Sequence, residues 1–277
     1  MIRLLTFMTC TAVLMTLLVM SLTEAPILNE LSRPGDVPVN VPVAMLCAAS
    51  NREVIESIVT DYRQISDDRI ELQFGPSQTL ASGLEVTDSG DLFLPADESY
   101  LHDLVRKRIV VEVMPIARMK VVLAVKKGNP LGISCLQDLM RKEIRLVQAN
   151  PDLAAVGKLT RDALNEHGKW EALADATDAF VSTVTEAGNS LAIGAADAAI
   201  IYDVVAHGKP DFEIIAVEEL DDVYADVSIG VTKAGKKKEQ VRQFLQFIAA
   251  PEWGRKRYNQ FGFTPCEEFY WNESAGP

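Results

Sequence analysis

Two serines near the start of the folded region stand where a hydroxyl would meet unpaired backbone groups. Ser50 ends an apolar run at 43–49, and Glu53 follows it at the opening of a helical pattern. Ser77 ends the run at 70–76 and leads into Gln78, Thr79 and Leu80. A strand that turns into a helix through a serine sets the hydroxyl beside the first-turn N–H groups, which have no acceptor within the helix. Such turns hold oxyanions without using cations, and two of them suffice for the jaws of an anion site. The same serines would also serve as plain N-caps, for which serine is a preferred residue.

Further helix starts carry related chemistry. The stretch 150–157 is rich in small residues and ends in Gly157, so backbone amides near Val156 can approach a ligand closely. Thr183, Val184, Thr185 and Glu186 spell a Thr-x-x-Glu capping box. Tyr202 ends an apolar run at 198–202 and adds a phenol. A site made only of N–H and O–H donors suits a fully deprotonated dianion. A protonated phosphate brings a donor hydrogen that needs an acceptor, and Asp203, directly after Tyr202, is the acid placed to be one. Neither serine lies in a Gly-x-Ser-x-Gly turn and no motif sets a histidine beside a matching acid, so catalysis is not expected. His102, His167 and His207 have no ligand spacing with cysteines or carboxylates, so no metal cation site is expected either.

The elements that must position these residues alternate. Strand patterns occur at 43–48, 70–74, 92–94, 110–115, 120–125, 144–147, 198–202 and 213–217. Amphipathic helical patterns occur at 52–65, 79–86, 98–106, 136–140, 156–167, 183–192 and 238–249. The alternation predicts an α/β protein with largely parallel sheets, whose ligands sit beyond the carboxyl ends of strands. Extended stretches at 119–130 and 226–233 read as two crossings between lobes. That division gives lobe 1 as 41–118 with 226–277 and lobe 2 as 119–225, with a hinged cleft between them.

Composition narrows the function. The chain has 277 residues, a net charge of −12 and a pI of about 4.8. This balance argues against a nucleic-acid partner, which requires a basic face. The run Lys236, Lys237, Lys238 reads as a solvated face. Residues 1–25 contain Arg3 and a long apolar run, as in an export signal or a retained N-terminal anchor. Residues 26–40 read as a linker. Cys10 lies in the apolar run, without the look of an acylation site. Cys47, Cys135 and Cys266 would meet an oxidising compartment, but their spacing selects no pair, and Cys47 reads as a core residue. Asp91 and Asp97 read as turn and helix-start residues, and Trp170 as packing. A tail from Thr264 carries Phe269, Tyr270 and Trp271.

The ordered set Ala48-Ala49-Ser50, Phe74-Gly75-Pro76-Ser77-Gln78-Thr79-Leu80-Ala81, Asp91-Leu92-Phe93-Leu94-Pro95-Ala96-Asp97, Gly168-Lys169-Trp170, Ala198-Ala199-Ile200-Ile201-Tyr202 and Tyr258-Asn259-Gln260-Phe261-Gly262-Phe263 resembles the periplasmic molybdate-binding proteins of ABC uptake systems. The resemblance runs from about Val41 to Phe263. It implies a two-lobed type 2 periplasmic binding fold closing on a tetrahedral oxyanion, molybdate or tungstate. It places the family's binding serines on Ser50 and Ser77, its second-lobe backbone donors near Val156 and Val184 with Thr183 also eligible, and its ligand-facing tyrosine on Tyr202. It further implies an exported, monomeric receptor that has no cofactor and hands its ligand to a membrane permease. Around Val156 the usual Pro-Ala-Gly is Ala155-Val156-Gly157, and Pro76 and Gln78 flank Ser77. Those departures leave open another small anion (sulfate, a phosphonate or a carboxylate) or a tethered sensor that has lost its ligand.

Overall fold

The computed structural model describes residues 41–87, 89–266 and 272–273. The export segment, the linker, Cys10 and the aromatic residues of the tail lie outside the described residues. Along the chain run β1 (Val43–Ala48), a 3-10 turn (Ala49–Asn51), α1 (Arg52–Tyr62), β2 (Ile70–Gly75), α2 (Ser77–Thr87), β3 (Leu92–Leu94), α3 (Ser99–Arg106) and β4 (Val110–Lys126). After a 3-10 turn (Leu136–Met140) come β5 (Leu146–Ala149), α4 (Ala155–Glu166), α5 (Trp170–Asp175), β6 (Thr177–Val181), α6 (Val184–Ala192), β7 (Ala198–Tyr202), α7 (Asp203–Ala206) and β8 (Phe212–Ile215). The chain then forms β9 (Tyr224–Thr232), α8 (Glu239–Ala249), α9 (Lys256–Gln260), β10 (Thr264–Pro265) and β11 (Asn272–Glu273).

The strands pair in the order β2-β1-β3-β9-β4-β7-β5-β6, with β8, β10 and β11 also on β4. Pairing is parallel for β1 with β2 and β3, and for β5 with β6 and β7. It is antiparallel wherever β4 or β9 takes part. The expected largely parallel sheet is therefore mixed, because β9 and β4 run through its middle in opposed directions. The strands expected at 110–115 and 120–125 are one strand of 17 residues. Its register against β9 slips between Val110 and Glu112 and again between Pro115 and Ala117. Pro115 has no N–H to give the ladder, so a bulge there is the natural outcome. From Val110 to Lys120 the strand pairs with β9; from Val121 onward it pairs with β7 and β8. It thus carries the chain from one group of strands into the other.

Helices cover these strands with apolar faces of helical period. On α1 the buried residues are Val54, Ile55, Ile58, Val59 and Tyr62; on α8 they are Val241, Phe244, Leu245, Phe247 and Ile248. The Tyr62 ring lies 5.1 Å from Phe244 and 5.2 Å from Phe247, and Arg257 clamps Asp61 with bonds of 2.6 and 2.9 Å. Trp170 packs on Phe180, as expected. The lysine run is more engaged than a solvated face. Lys238 Nζ sits 2.7 Å from Asp91, which is itself buried, and Lys236 lies 2.8 Å from Glu112. Cys47, Cys135 and Cys266 are free thiols, Cys47 buried in β1 where loss of solvation raises its pKa.

Candidate functional site

The carboxyl ends of β1, β2, β5 and β6 each release the chain into a helix start, and β7 ends beside them at Tyr202. The starts converge on a small cavity of about 20 Å³ lined by Ser50, Ser77, Val156, Thr183, Val184 and Tyr202, together with Ala48, Ala49, Gly75, Pro76, Ala96, Ala154 and Ala155. All six residues singled out from the sequence thus meet in one place. The remaining lining residues offer backbone and methyl groups, whose side chains carry no functional-group signal to find them by.

Neither serine is spent on capping its own helix. Ser50 lies inside the 3-10 turn, with Ala48 at its N-cap, and its hydroxyl oxygen accepts from Asn51 Nδ2 at 3.4 Å. Ser77 is the first residue of α2 and buried, and its oxygen accepts the Ala96 N–H at 3.1 Å. A hydroxyl that already accepts a bond keeps its proton to donate. Asp97 supports the loop behind Ala96, accepting from Ser99 N–H at 3.0 Å and Asp226 N–H at 3.2 Å. Asp91 accepts from Ala44 N–H at 2.8 Å, the turn-holding role its position suggests.

On α4 the N-cap is Ala154, with no side-chain cap. The N–H of Lys158 bonds back to Ala154 O at 3.1 Å, which leaves the amides of Ala155, Val156 and Gly157 in the open first turn. Gly157 lets this helix start close down on β5. A Cβ there would stand 2.2 Å from Ala149 O and 2.8 Å from Pro151 N. On α6 the Thr183 hydroxyl accepts the Glu186 N–H at 3.2 Å, and the Glu186 carboxylate accepts the Ser182 N–H at 2.9 Å. The expected capping box forms with its return bond one residue early, and the Val184 amide stays in the open first turn.

Tyr202 is fully buried, and its hydroxyl has no partner among the described residues. Burial, with Asp97 and Tyr100 nearby, holds its pKa well above the ordinary phenol value, so it remains a protonated donor. Asp203 is not the acceptor its position suggested. Its carboxylate turns away to accept the Lys120 N–H at 3.0 Å and the Val204 N–H at 2.8 Å, and burial raises its pKa. No charged side chain is among the described residues that line the cavity. Asn51, which no motif in the sequence marks, is wholly buried beside Ser50, its side-chain oxygen without a partner among the described residues.

Two hydrogen bonds flank the cavity and join its two sides. Gln78 N–H donates to Leu153 O at 3.1 Å, and Thr185 Oγ1 donates to Ala49 O at 3.3 Å. An adjoining space that shares Ala49 and Ser50 includes the charged residues Arg52, Glu53 and Lys209. There the Arg52 guanidinium is engaged by Glu56 at 3.3 Å and lies 3.9 Å from the Phe74 ring centre.

Residues 43–264 match the bacterial extracellular solute-binding protein family. Among curated relatives, the molybdate-binding protein ModA of Escherichia coli is 22% identical over 242 residues, covering 80% of this chain and 88% of its own. A binding protein of Haemophilus influenzae is 24% identical over 223 residues, covering 80% of this chain and 91% of its own. The periplasmic molybdate-binding protein of Azotobacter vinelandii superposes with a TM-score of 0.68 at 16% identity, over 80% of this chain and 98% of that one. The sulfate-binding protein SubI of Mycobacterium tuberculosis does so with a TM-score of 0.67 at 16% identity, over 82% and 87%. At such identities the superpositions establish the fold, that of the two-domain periplasmic binding proteins. The resemblance to molybdate-binding proteins read from the sequence is borne out at the level of relatedness. With the family match running from Val43 at the start of β1 to Thr264 at the start of β10, this chain belongs to the bacterial extracellular solute-binding proteins.

Proposed function

We propose that this protein captures molybdate or tungstate outside the cytoplasm and delivers it to the permease of an ABC importer. The observation that carries the reading is the fully buried Tyr202 hydroxyl, unpartnered among the described residues, in a cavity whose described lining holds serine hydroxyls and helix-start amides but no charged side chain. A dianion without protons accepts from every such donor, each charge-assisted bond contributing ~1.5–3 kcal/mol. A protonated phosphate would find no carboxylate in that lining to accept its O–H. Ser50, Ser77, Val156, Val184 and Tyr202 are the proposed donors, with Thr183 as the cap that orients its helix start. The lobes are proposed as 41–118 with 226–277 and as 119–225, with residues 1–25 directing export.

Calorimetric titration of the purified protein with molybdate, tungstate, sulfate and phosphate at neutral pH tests this reading. Tight one-to-one binding of the first two, with sulfate weaker and phosphate absent, is the expected result. Silence with all four would remove the reading. A second reading, a receptor for sulfate or another small anion, is favoured by the same donor-only lining, in which no side chain distinguishes the central atom. Sulfate binding more tightly than molybdate would select it.

A further inference from the structure

The hydrogen bonds that flank the cavity are made by residues at or next to those that line it. Thr185 follows Val184, and its acceptor Ala49 precedes Ser50; Leu153 precedes Ala154, and its donor Gln78 follows Ser77. Ala49 and Gln78 belong to the strand group of β1 and β2, whereas Thr185 and Leu153 belong to that of β5 and β6. Each bond therefore ties the two halves at one edge of the cavity. At 3.3 and 3.1 Å they hold the Ser50 turn to the start of α6 and the start of α2 to the loop before α4. Of the groups in these two bonds, the Thr185 hydroxyl is the only side chain. It is also free of capping duty, because Thr183 caps α6.

We propose that Thr185 is a positioning residue that sets the width of the anion cavity, with the Gln78 amide bond as its counterpart on the opposite edge. The proposal rests on the oxyanion reading above and deepens it. These two bonds lie at the cavity edges, whereas His207 and Gln260 O, 3.1 Å apart, join the same halves away from its lining; an anion of another radius must therefore either stretch the two edge bonds or leave donors short of contact. Size selection among tetrahedral dianions then belongs to the clasp as well as to the donors. Loss of one ordinary hydrogen bond changes an equilibrium by about three- to tenfold. That is the scale of effect to expect for Thr185.

The test compares wild type with Thr185→Val, which keeps shape and backbone N–H, and Thr185→Ser, which keeps the hydroxyl. Molybdate release is followed by stopped-flow fluorescence, molybdate and sulfate affinities by calorimetry, and the exchange rate of the Gln78 amide by hydrogen exchange without anion. In Thr185→Val, release should quicken about three- to tenfold, the molybdate-to-sulfate affinity ratio should shrink, and the Gln78 amide should exchange faster. Thr185→Ser should match wild type in all three. Equal release, equal ratio and equal exchange in Thr185→Val would overturn the proposal. If no anion binds wild type, the oxyanion reading falls. Exchange at Gln78 then decides the clasp by itself: unchanged exchange in Thr185→Val overturns it, and faster exchange restored by Thr185→Ser supports it.

Discussion

Tyr202 and Ser77 contribute to the site through opposite relations with the fold. The Tyr202 hydroxyl is buried without a partner among the described residues, a condition that costs stability. Tyr202→Phe should therefore leave the unliganded protein as stable as wild type or up to about 1 kcal/mol more stable. Molybdate affinity should nevertheless fall about tenfold or more, the value of a charge-assisted bond. Paired urea titrations and calorimetry check the two signs together. Ser77 has a structural duty as well, because its oxygen receives the buried Ala96 N–H. Ser77→Ala should weaken anion binding and also lower stability by about 1–3 kcal/mol, as the Ala96 amide loses its acceptor. A variant that lost affinity without losing stability would contradict that bond. Both serines were legible in the sequence, but the partners that turn their protons toward the cavity, Ala96 and Asn51, were not. The first is a backbone contact made 19 residues away and the second a neighbour whose side chain looks unremarkable in sequence.

Helix starts act as donors only if they are brought close, and for α4 this depends on Gly157. Gly157→Ala would drive a methyl group into the Ala149 carbonyl, so the helix must shift away from β5. A stability loss of a few kcal/mol is expected from such overpacking, with molybdate affinity falling in step; thermal melting and titration of the same variant test it. At the other end of β5, Arg145 clamps Asp197 before β7 with bonds of 2.7 and 2.9 Å. The guanidinium holds the Asp197 carboxyl below its ordinary value of 3.8. A depressed folded pKa means that its contribution is present in full above 3.8 and drains away as pH falls through the lower folded value. Asp197→Asn should therefore be less stable than wild type at neutral pH, by an amount small for a pair so exposed. The gap should close in acid, as read from urea midpoints across that range. A gap that widened in acid would refute the pairing.

For the whole molecule, charge and site oppose each other. The chain carries a net charge of −12 and is proposed to bind a dianion through neutral donors. Long-range repulsion is screened by salt, the Debye length shrinking from ~30 Å at ~0.01 M to ~8 Å at ~0.15 M. Molybdate association should accordingly quicken by about severalfold over that range. A site lined by cations inside a basic patch would show the reverse, so stopped-flow at two ionic strengths separates the designs. Dissociation, governed by short contacts and by the clasp through Thr185, should change little.

Residue types and their local order determined most of the secondary structure and the turns that matter. Serines, a Thr-x-x-Glu box and small residues after strands are local signals, and their physics is local too. Pairing direction, the continuity of β4 through Pro115, the stretch α5–β6 and the engagement of Lys238 with Asp91 were decided by tertiary structure. Each depends on a partner distant in sequence, such as β9 beside β4 or Asp91 147 residues from Lys238. Asp203 shows the same limit. Its neighbour Tyr202 marked it as an acceptor at the site, but the Lys120 amide, 83 residues away, turns its carboxylate elsewhere. A sequence states which groups are available, whereas the direction in which a buried polar group points is set by whichever distant donor or acceptor satisfies it.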